Sequence, residues 1–134
     1  MAVGSTSELS AQLVVEILVH DLAPSLAFYE AFGFELERRT ETFAVLRWNG
    51  SYLFLAEERE RPASSSTALA NVRVIVQDVD AVWELAQVVG ARVERALADR
   101  AYGLRDFTVL DPDGFGVRFA QVLPGIAPGS AVHV

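Results

Sequence analysis

The chain states one structural pattern twice, and this constrains its fold more than any other feature. The stretch from Leu13 to Glu57 contains Val19-His20-Asp21-Leu22 and then Phe32-Gly33-Phe34-Glu35-Leu36-Glu37-Arg38. The stretch from Asn71 to Gln121 contains Val76-Gln77-Asp78-Val79 and then Val89-Gly90-Ala91-Arg92-Val93-Glu94-Arg95. Asp21 and Asp78, Gly33 and Gly90, and Arg38 and Arg95 are each separated by the same 57 positions. Three landmarks held at one spacing mark a duplicated supersecondary unit.

Each copy opens on an apolar, β-branched run that reads as a strand, Leu13 to Val19 and Val72 to Val76. Asp21 and Asp78 follow as helix N-caps. The first helix is expected over about Pro24 to Phe32, burying Leu26, Phe28 or Tyr29, and Phe32. The second is expected over about Ala81 to Val89, burying Val82, Leu85, Ala86 and Val89 at helical spacing. Gly33 and Gly90 then end the helices as left-handed caps. Three more strands complete each copy, at about Glu35 to Arg39, Phe43 to Trp48 and Tyr52 to Ala56, and at about Arg92 to Ala96, Asp106 to Leu110 and Gly116 to Gln121. Asn49-Gly50 is a hairpin turn in the first copy, and Asp111-Pro112-Asp113-Gly114 takes its place in the second. Gly50 and Gly114 are 64 positions apart, so the second copy holds seven additional residues, expected as a loop around Leu97 to Gly103 that reaches over a site.

The resulting fold class is α+β, two tandem βαβββ modules forming a cupped mixed sheet, or half-barrel. The expected boundaries are a flexible lead at 1–11, a first module at 12–58, a linker at 59–70, a second module at 71–123 and a tail at 124–134, one domain overall. The linker reading rests on Arg61-Pro62-Ala63-Ser64-Ser65-Ser66 and the tail reading on Pro, Gly and Ala content. With 51% hydrophobic and 22% charged residues in 134, the composition is that of a folded domain able to bury about two-thirds of its unfolded surface.

All 11 basic residues are arginine, which removes Schiff-base chemistry and a phosphate-binding lysine. A net charge of −7 argues against a nucleic-acid partner, which needs clustered basic groups. The acidic balance is compatible with a cationic ligand, and solubility accounts for it equally. Cysteine is absent, so disulfides, thiol nucleophiles and thiolate metal sites are excluded. Met1 to Gln12 lack an apolar signal core, and no run approaches the ~20 apolar residues of a membrane span. The expected location is cytoplasmic, without a membrane partner.

The βαβββ duplication, together with Leu26-Ala27-Phe28-Tyr29-Glu30-Ala31-Phe32-Gly33-Phe34 and Phe107-Thr108-Val109-Leu110-Asp111-Pro112-Asp113-Gly114, resembles the vicinal oxygen chelate superfamily of glyoxalases, bleomycin-resistance proteins and dioxygenases. Tyr102-Gly103-Leu104-Arg105-Asp106-Phe107 is similar to the aromatic-glycine segment of the bleomycin-resistance branch, with Tyr102 where tryptophan is usual. The resemblance implies a homodimer with clefts shared between subunits. It also implies metal ligands, usually His and Glu, on the first and last strands of each copy. The corresponding positions here are Val14, Phe54, Asn71 and Arg118. None is His, Asp or Glu, and a guanidinium repels a divalent cation. No metal or other cofactor is therefore expected. His20, at a strand end, and His133, in the tail, are the only histidines, and both read as satisfied or solvated.

Glu16 lies on the same strand face as Val14, and its counterpart 57 positions on is Arg73. One reading is a buried Glu16–Arg73 ion pair, with Arg118 nearby, because a buried charge needs a partner. The other is a charged base to an otherwise apolar ligand cleft. Trp48, Tyr52, Phe54, Tyr102 and Phe115 fall at strand ends, turns or the inserted loop, where planar rings can sandwich a flat or cationic ligand; core packing is the competing role. The candidate ligand-binding residues are thus Glu16, Trp48, Tyr52, Phe54, Asn71, Arg73, Tyr102 and Arg118. They point to a metal-free protein that sequesters an antibiotic or other toxic compound, a cationic or aromatic small molecule. The alternatives are a lyase, isomerase or dioxygenase of the same superfamily with a displaced metal site or with Glu16 as base, and a domain that only dimerises.

Overall fold

A computed structural model describes residues 13–60 and 70–125. The first module consists of β1 (Val15–Val19), α1 (Leu22–Ala31), β2 (Glu35–Arg39), β3 (Phe43–Trp48) and β4 (Ser51–Glu57). The second consists of β5 (Asn71–Ile75), α2 (Val79–Val89), β6 (Arg92–Asp99), β7 (Leu104–Leu110) and β8 (Gly116–Val122). The chain divides into two compact units, Met1–Ser64 and Ser65–Val134. Each carries an open, mixed four-stranded sheet, in the orders β1-β4-β3-β2 and β5-β8-β7-β6. The first strand runs parallel to the last and the others are antiparallel, so the α+β, twice-βαβββ expectation holds. The lead at 1–11, most of the linker, the tail beyond residue 125, and His133 lie outside the described residues.

Both helices start as the aspartates dictate. Asp21 accepts from the Ala23 N–H at 3.3 Å and Asp78 from the Ala81 N–H at 3.2 Å, satisfying donors that have no partner inside the helix. A second cap comes from across the module. The Glu57 carboxylate accepts from the Leu22 N–H at 3.0 Å, and the Gln121 side-chain oxygen from the Val79 N–H at 2.9 Å. Glu57 and Gln121 are themselves 64 positions apart, so the capping device is duplicated along with the backbone. At the other ends, Gly90 closes α2 in the left-handed conformation, with φ 70°. Helix α1 instead ends on Phe32, at φ −90°, and the reversal falls one residue later at Gly33, with φ 103°.

One face of each sheet packs on its helix. In the first module Ile17, Val19, Ala44, Leu46, Leu53 and Leu55 are buried with Leu22, Leu26 and Tyr29 of α1. In the second, Val74, Phe107, Val109, Val117 and Phe119 are buried with Val79 and Ala86 of α2. Phe107 packs edge-on against Trp83 of α2, with ring centroids 5.0 Å apart. Helix α2 buries less than its spacing implies: Val82 and Leu85 are half-buried, and Val89 is exposed.

The seven additional residues of the second copy do not form a loop over a site. Six of them lengthen the β6–β7 hairpin, adding the pairs Ala98 with Asp106 and Asp99 with Arg105 before a turn closed by Arg100 N–H to Leu104 C=O at 2.7 Å, and the seventh lengthens the β7–β8 connection. The shorter first-copy hairpin reverses directly after Arg39 pairs with Ala44. At the second hairpin turn, buried Asp111 is the organiser. Its carboxylate oxygen accepts from the Asp113 and Phe115 N–H groups at 2.9 and 2.8 Å, an Asx-type arrangement.

Candidate functional site

The side chains that could meet a ligand stand on the sheet face away from each helix, because successive strand residues point to opposite faces. Register fixes which residues share a row on that face. In the first module the row runs Glu16 (β1), Phe54 (β4), Val45 (β3), Arg38 (β2). In the second it runs Arg73 (β5), Arg118 (β8), Thr108 (β7), Arg95 (β6).

The outermost member of each row is placed by a β-bulge. Leu36 opposes Leu46 while Arg38 opposes Val45, so Glu37 is the extra residue; likewise Val93 opposes Val109 while Arg95 opposes Thr108, leaving Glu94 extra. Strict alternation would have sent Arg38 and Arg95 to the opposite face from the one they occupy. The duplicated Glu-Arg pairs are therefore the sequence mark of a duplicated bulge.

The two rows differ in chemistry. In the first module the Arg38 guanidinium lies 5.9 Å above the Phe43 ring, which meets Phe54 edge-on at 5.3 Å. Tyr52 stands on the same face opposite Arg47, whose guanidinium pairs with Glu35 and lies 3.5 Å from Glu37. In the second module Arg118 Nε donates to the hydroxyl of buried Thr108 at 3.2 Å. One rung away, the fully buried Asp106 carboxylate accepts from Arg100 Nε at 2.8 Å and from the Tyr102 hydroxyl at 2.7 Å. Burial, and then the hydrogen bond to Asp106, raise the Tyr102 pKa above the ordinary tyrosine value; the Arg95 and Arg118 guanidiniums pull it in the opposite direction.

The structure treats the sequence candidates unequally. Phe54 and Tyr52 stand on the helix-distal face of the first module, and Asn71, Arg73 and Arg118 on that of the second. Glu16 is on the expected face but exposed, which corrects the reading of it as a buried ion-pair partner; Arg73 is half-buried. Trp48 is displaced. It faces the helix side, tilted against Phe34 with centroids 5.0 Å apart and 3.5 Å from where a Gly33 side chain would start, because Trp48 pairs with Ser51 rather than sharing Phe54's alternation. There it borders a surface cavity of about 280 Å³ with Gly33, Glu35, Arg47 and Asn49. Tyr102 sits in the β6–β7 turn against Leu104 and Ala120, and its hydroxyl holds Asp106. Sequence reasoning passed over Arg38, Arg95, Thr108 and Asp106. The signal was the break in period-2 alternation at Glu37 and Glu94.

The family-type metal positions do not fit a divalent cation. Val14 precedes β1 and Phe54 opposes Glu16 in the first module; in the second, Asn71 opposes Gly116 and Arg118 opposes Arg73. Two hydrocarbon side chains, one amide and one cation supply neither the anionic oxygens nor the imidazoles that such an ion requires. Among the described residues, no group of three or more His, Asp or Glu is placed to hold a metal ion.

Two βαβββ modules with equivalent sheet orders, each carrying distinct side chains on the sheet face opposite its helix, define a protein built by tandem repetition of one sheet-and-helix unit. The chain belongs to the Glyoxalase/Bleomycin resistance protein/Dioxygenase superfamily, whose model matches residues 11–119. It is similar in fold to a glyoxalase/bleomycin resistance protein/dioxygenase from Nocardioides, with TM-score 0.71 and 22% identity over 89% of this chain and 87% of that one. It also resembles TioX from Micromonospora sp. ML1, with TM-score 0.64 and 28% identity over 85% of this chain and 100% of that one. A bleomycin-binding protein complexed with bleomycin matches with TM-score 0.67 and 19% identity over 84% of this chain and 98% of that one. No curated protein matches the chain. Among the described residues, no helix is long and apolar enough to cross a membrane.

Proposed function

We propose that this protein binds an antibiotic or other toxic small molecule and sequesters it without a metal ion, acting as a cytoplasmic homodimer. The observation that carries the reading is the substitution of ligand-binding chemistry for metal-binding chemistry at equivalent places. Where the family implies a ligating carboxylate on β4, the chain has Phe54, edge-on to Phe43 and on the same face as Tyr52. Where it implies one on β8, the chain has Arg118. An aromatic cluster beside exposed Glu16 suits the flat, cationic part of a ligand, since π faces and a carboxylate both attract positive charge.

Two measurements on the purified full chain test the proposal. Thermal-shift titration with bleomycin and a panel of cationic and aromatic natural products is expected to reveal at least one stabilising ligand, because a ligand bound only by the native state raises the melting temperature. Metal analysis of protein purified without chelators is expected to give substoichiometric Zn, Ni, Fe and Mn. A stoichiometric metal, or a blank panel, overturns the reading.

A further inference from the structure

We infer that the helix-distal face of the second module is an oxyanion site, binding a carboxylate- or phosphate-bearing small molecule through Arg118 and Arg95, with Thr108 between them and Arg73 alongside. The inference rests on the proposal that the chain binds small molecules and gives the ligand's chemical class. Arg73 and Arg118 are directly opposite on neighbouring parallel strands, and Thr108 and Arg95 continue the row across two more. Neighbouring strands lie about 4.8 Å apart, so the long guanidinium arms of Arg118 and Arg95 span the single threonine position between them. Like charges on one face repel, so the pairing of Arg118 with Arg95 across Thr108 favours an anion between them.

Among the described residues, Arg118 and Arg95 draw no such anion from this face. Asp106 is the one carboxylate in register among the strand residues of the face. Both of its oxygens are occupied, one by Arg100 and one by Tyr102. Among the described residues, neither Arg118 nor Arg95 has a carboxylate partner; Arg118 is held instead by a neutral hydroxyl, through Nε alone. That bond orients the guanidinium and leaves its terminal nitrogens for a ligand. Guanidinium presents paired N–H donors at the spacing of carboxylate or phosphate oxygens, so the row is matched to an oxyanion in geometry as well as in sign. The bulge at Glu94 has a consequence for function as well, since it brings Arg95 onto the face that Arg118 occupies.

The placement of these charges runs against the composition of the chain. The net charge of the chain is −7, yet three of only 11 basic residues stand in one row. An acidic protein that concentrates arginine locally gains selectivity, because its overall field disfavours anions everywhere except at that row.

The test is calorimetric titration of the full chain with benzoate, phenyl phosphate and benzylamine, ligands that share a ring and differ in the charged group. Wild-type protein is expected to bind benzoate or phenyl phosphate at least about tenfold more tightly than benzylamine, and the better of the two identifies the oxyanion. Arg95→Met and Arg118→Met are each expected to weaken that binding at least about tenfold, as loss of a charge-assisted hydrogen bond does. Arg39→Met removes the same charge from an exposed position on the other module and is expected to leave binding unchanged. Arg95 is exposed, so its variant remains informative should the half-buried Arg118 prove necessary for folding. An equal loss in Arg39→Met, or tighter binding of benzylamine, overturns the oxyanion assignment. Binding of other panel compounds with no response to either oxyanion overturns it too, while leaving the small-molecule reading intact. A blank for every compound overturns both.

Discussion

The two modules share a backbone and differ in almost everything mounted on it. The row Glu16, Phe54, Val45, Arg38 of the first corresponds to Arg73, Arg118, Thr108, Arg95 of the second, so one face is aromatic with an exposed acid and the other is cationic. The adjacent rung repeats the contrast. Phe43 pairs with Ala56 and lies under Arg38 in the first module, whereas Asp106 pairs with Ala120 and is gripped by Arg100 and Tyr102 in the second. On the helix side the difference is one of size. The first module has buried Tyr29 on its helix and buried Ala44 on β3; the second has buried Ala86 on its helix and buried Phe107 on β7. A close-packed layer requires only that facing volumes sum correctly, so large and small residues can exchange sides while the helix stays in place. Duplication thus preserved the helix N-caps, the strand order and the bulges at Glu37 and Glu94, and left the faces free to diverge.

The size exchange is the comparison that single substitutions break hardest. Phe107→Ala is expected to cost about 3–5 kcal/mol in denaturant unfolding, since it empties a fully buried site. Adding Ala86→Tyr, which copies the first module's arrangement, is expected to recover part of that loss, and a double-mutant cycle showing no coupling would contradict the complementary-volume account.

Asp106→Ala is expected to be comparably damaging, about 3–5 kcal/mol, because it leaves Arg100 partly buried without its counter-charge. The same experiment at the equivalent Phe43 tests hydrocarbon packing alone, so the pair of variants separates charge from volume.

The glycines after the helices give a smaller contrast. Gly90→Ala places a methyl group in open space at φ 70° and is expected to cost about 1–2 kcal/mol, the ordinary left-handed penalty. Gly33→Ala is expected to cost more, because φ 103° lies beyond the left-handed well and the new methyl group meets Trp48 at 3.5 Å.

The smallest effect belongs to the Arg105 ion pairs with Asp80 and Asp99, which the first module lacks at Thr42, the corresponding place after its shorter hairpin. The side-chain hydrogen bond from Arg105 holds the Asp80 pKa below its usual 3.8. A depressed carboxylate pKa contributes stability above the unfolded value that is lost as pH falls through the folded one. Arg105→Met should therefore differ slightly from wild type at neutral pH and low salt. The difference should fade with added salt and vanish below the carboxylate range, as melting curves across pH can show.

Much of the fold was legible because its signals are local. Asp21 and Asp78 cap helices by reaching their own next turn, Gly90 reverses where a side chain is disfavoured, and alternating apolar runs become strands. The site was less legible. Phe54 and Arg118 were found by counting from turn glycines, which works because pairing across a hairpin is rigid. Trp48, a candidate for its place at a strand end, stands on the opposite face from Tyr52 and Phe54, because a position at a strand end does not say which face a ring takes. Of the stretch expected as a loop from the spacing of the turn glycines, Leu97 to Asp99 became strand because β7 offered partners, and Arg100 to Gly103 form the turn.

By itself, the sequence determined the duplication, the order of helices and strands, the lack of cysteine and lysine, and the chemical kinds of side chain at each family position. These depend on identity and short-range spacing, which a chain carries before it folds. Tertiary structure decided which of those side chains stand together. Register across strands exists only once the strands pair, and one inserted residue reverses every side chain beyond it. For that reason the bulge residues Glu37 and Glu94, neither of them a candidate in the sequence, are what set Arg38 over an aromatic ring in one module and Arg95 in a row of arginines in the other.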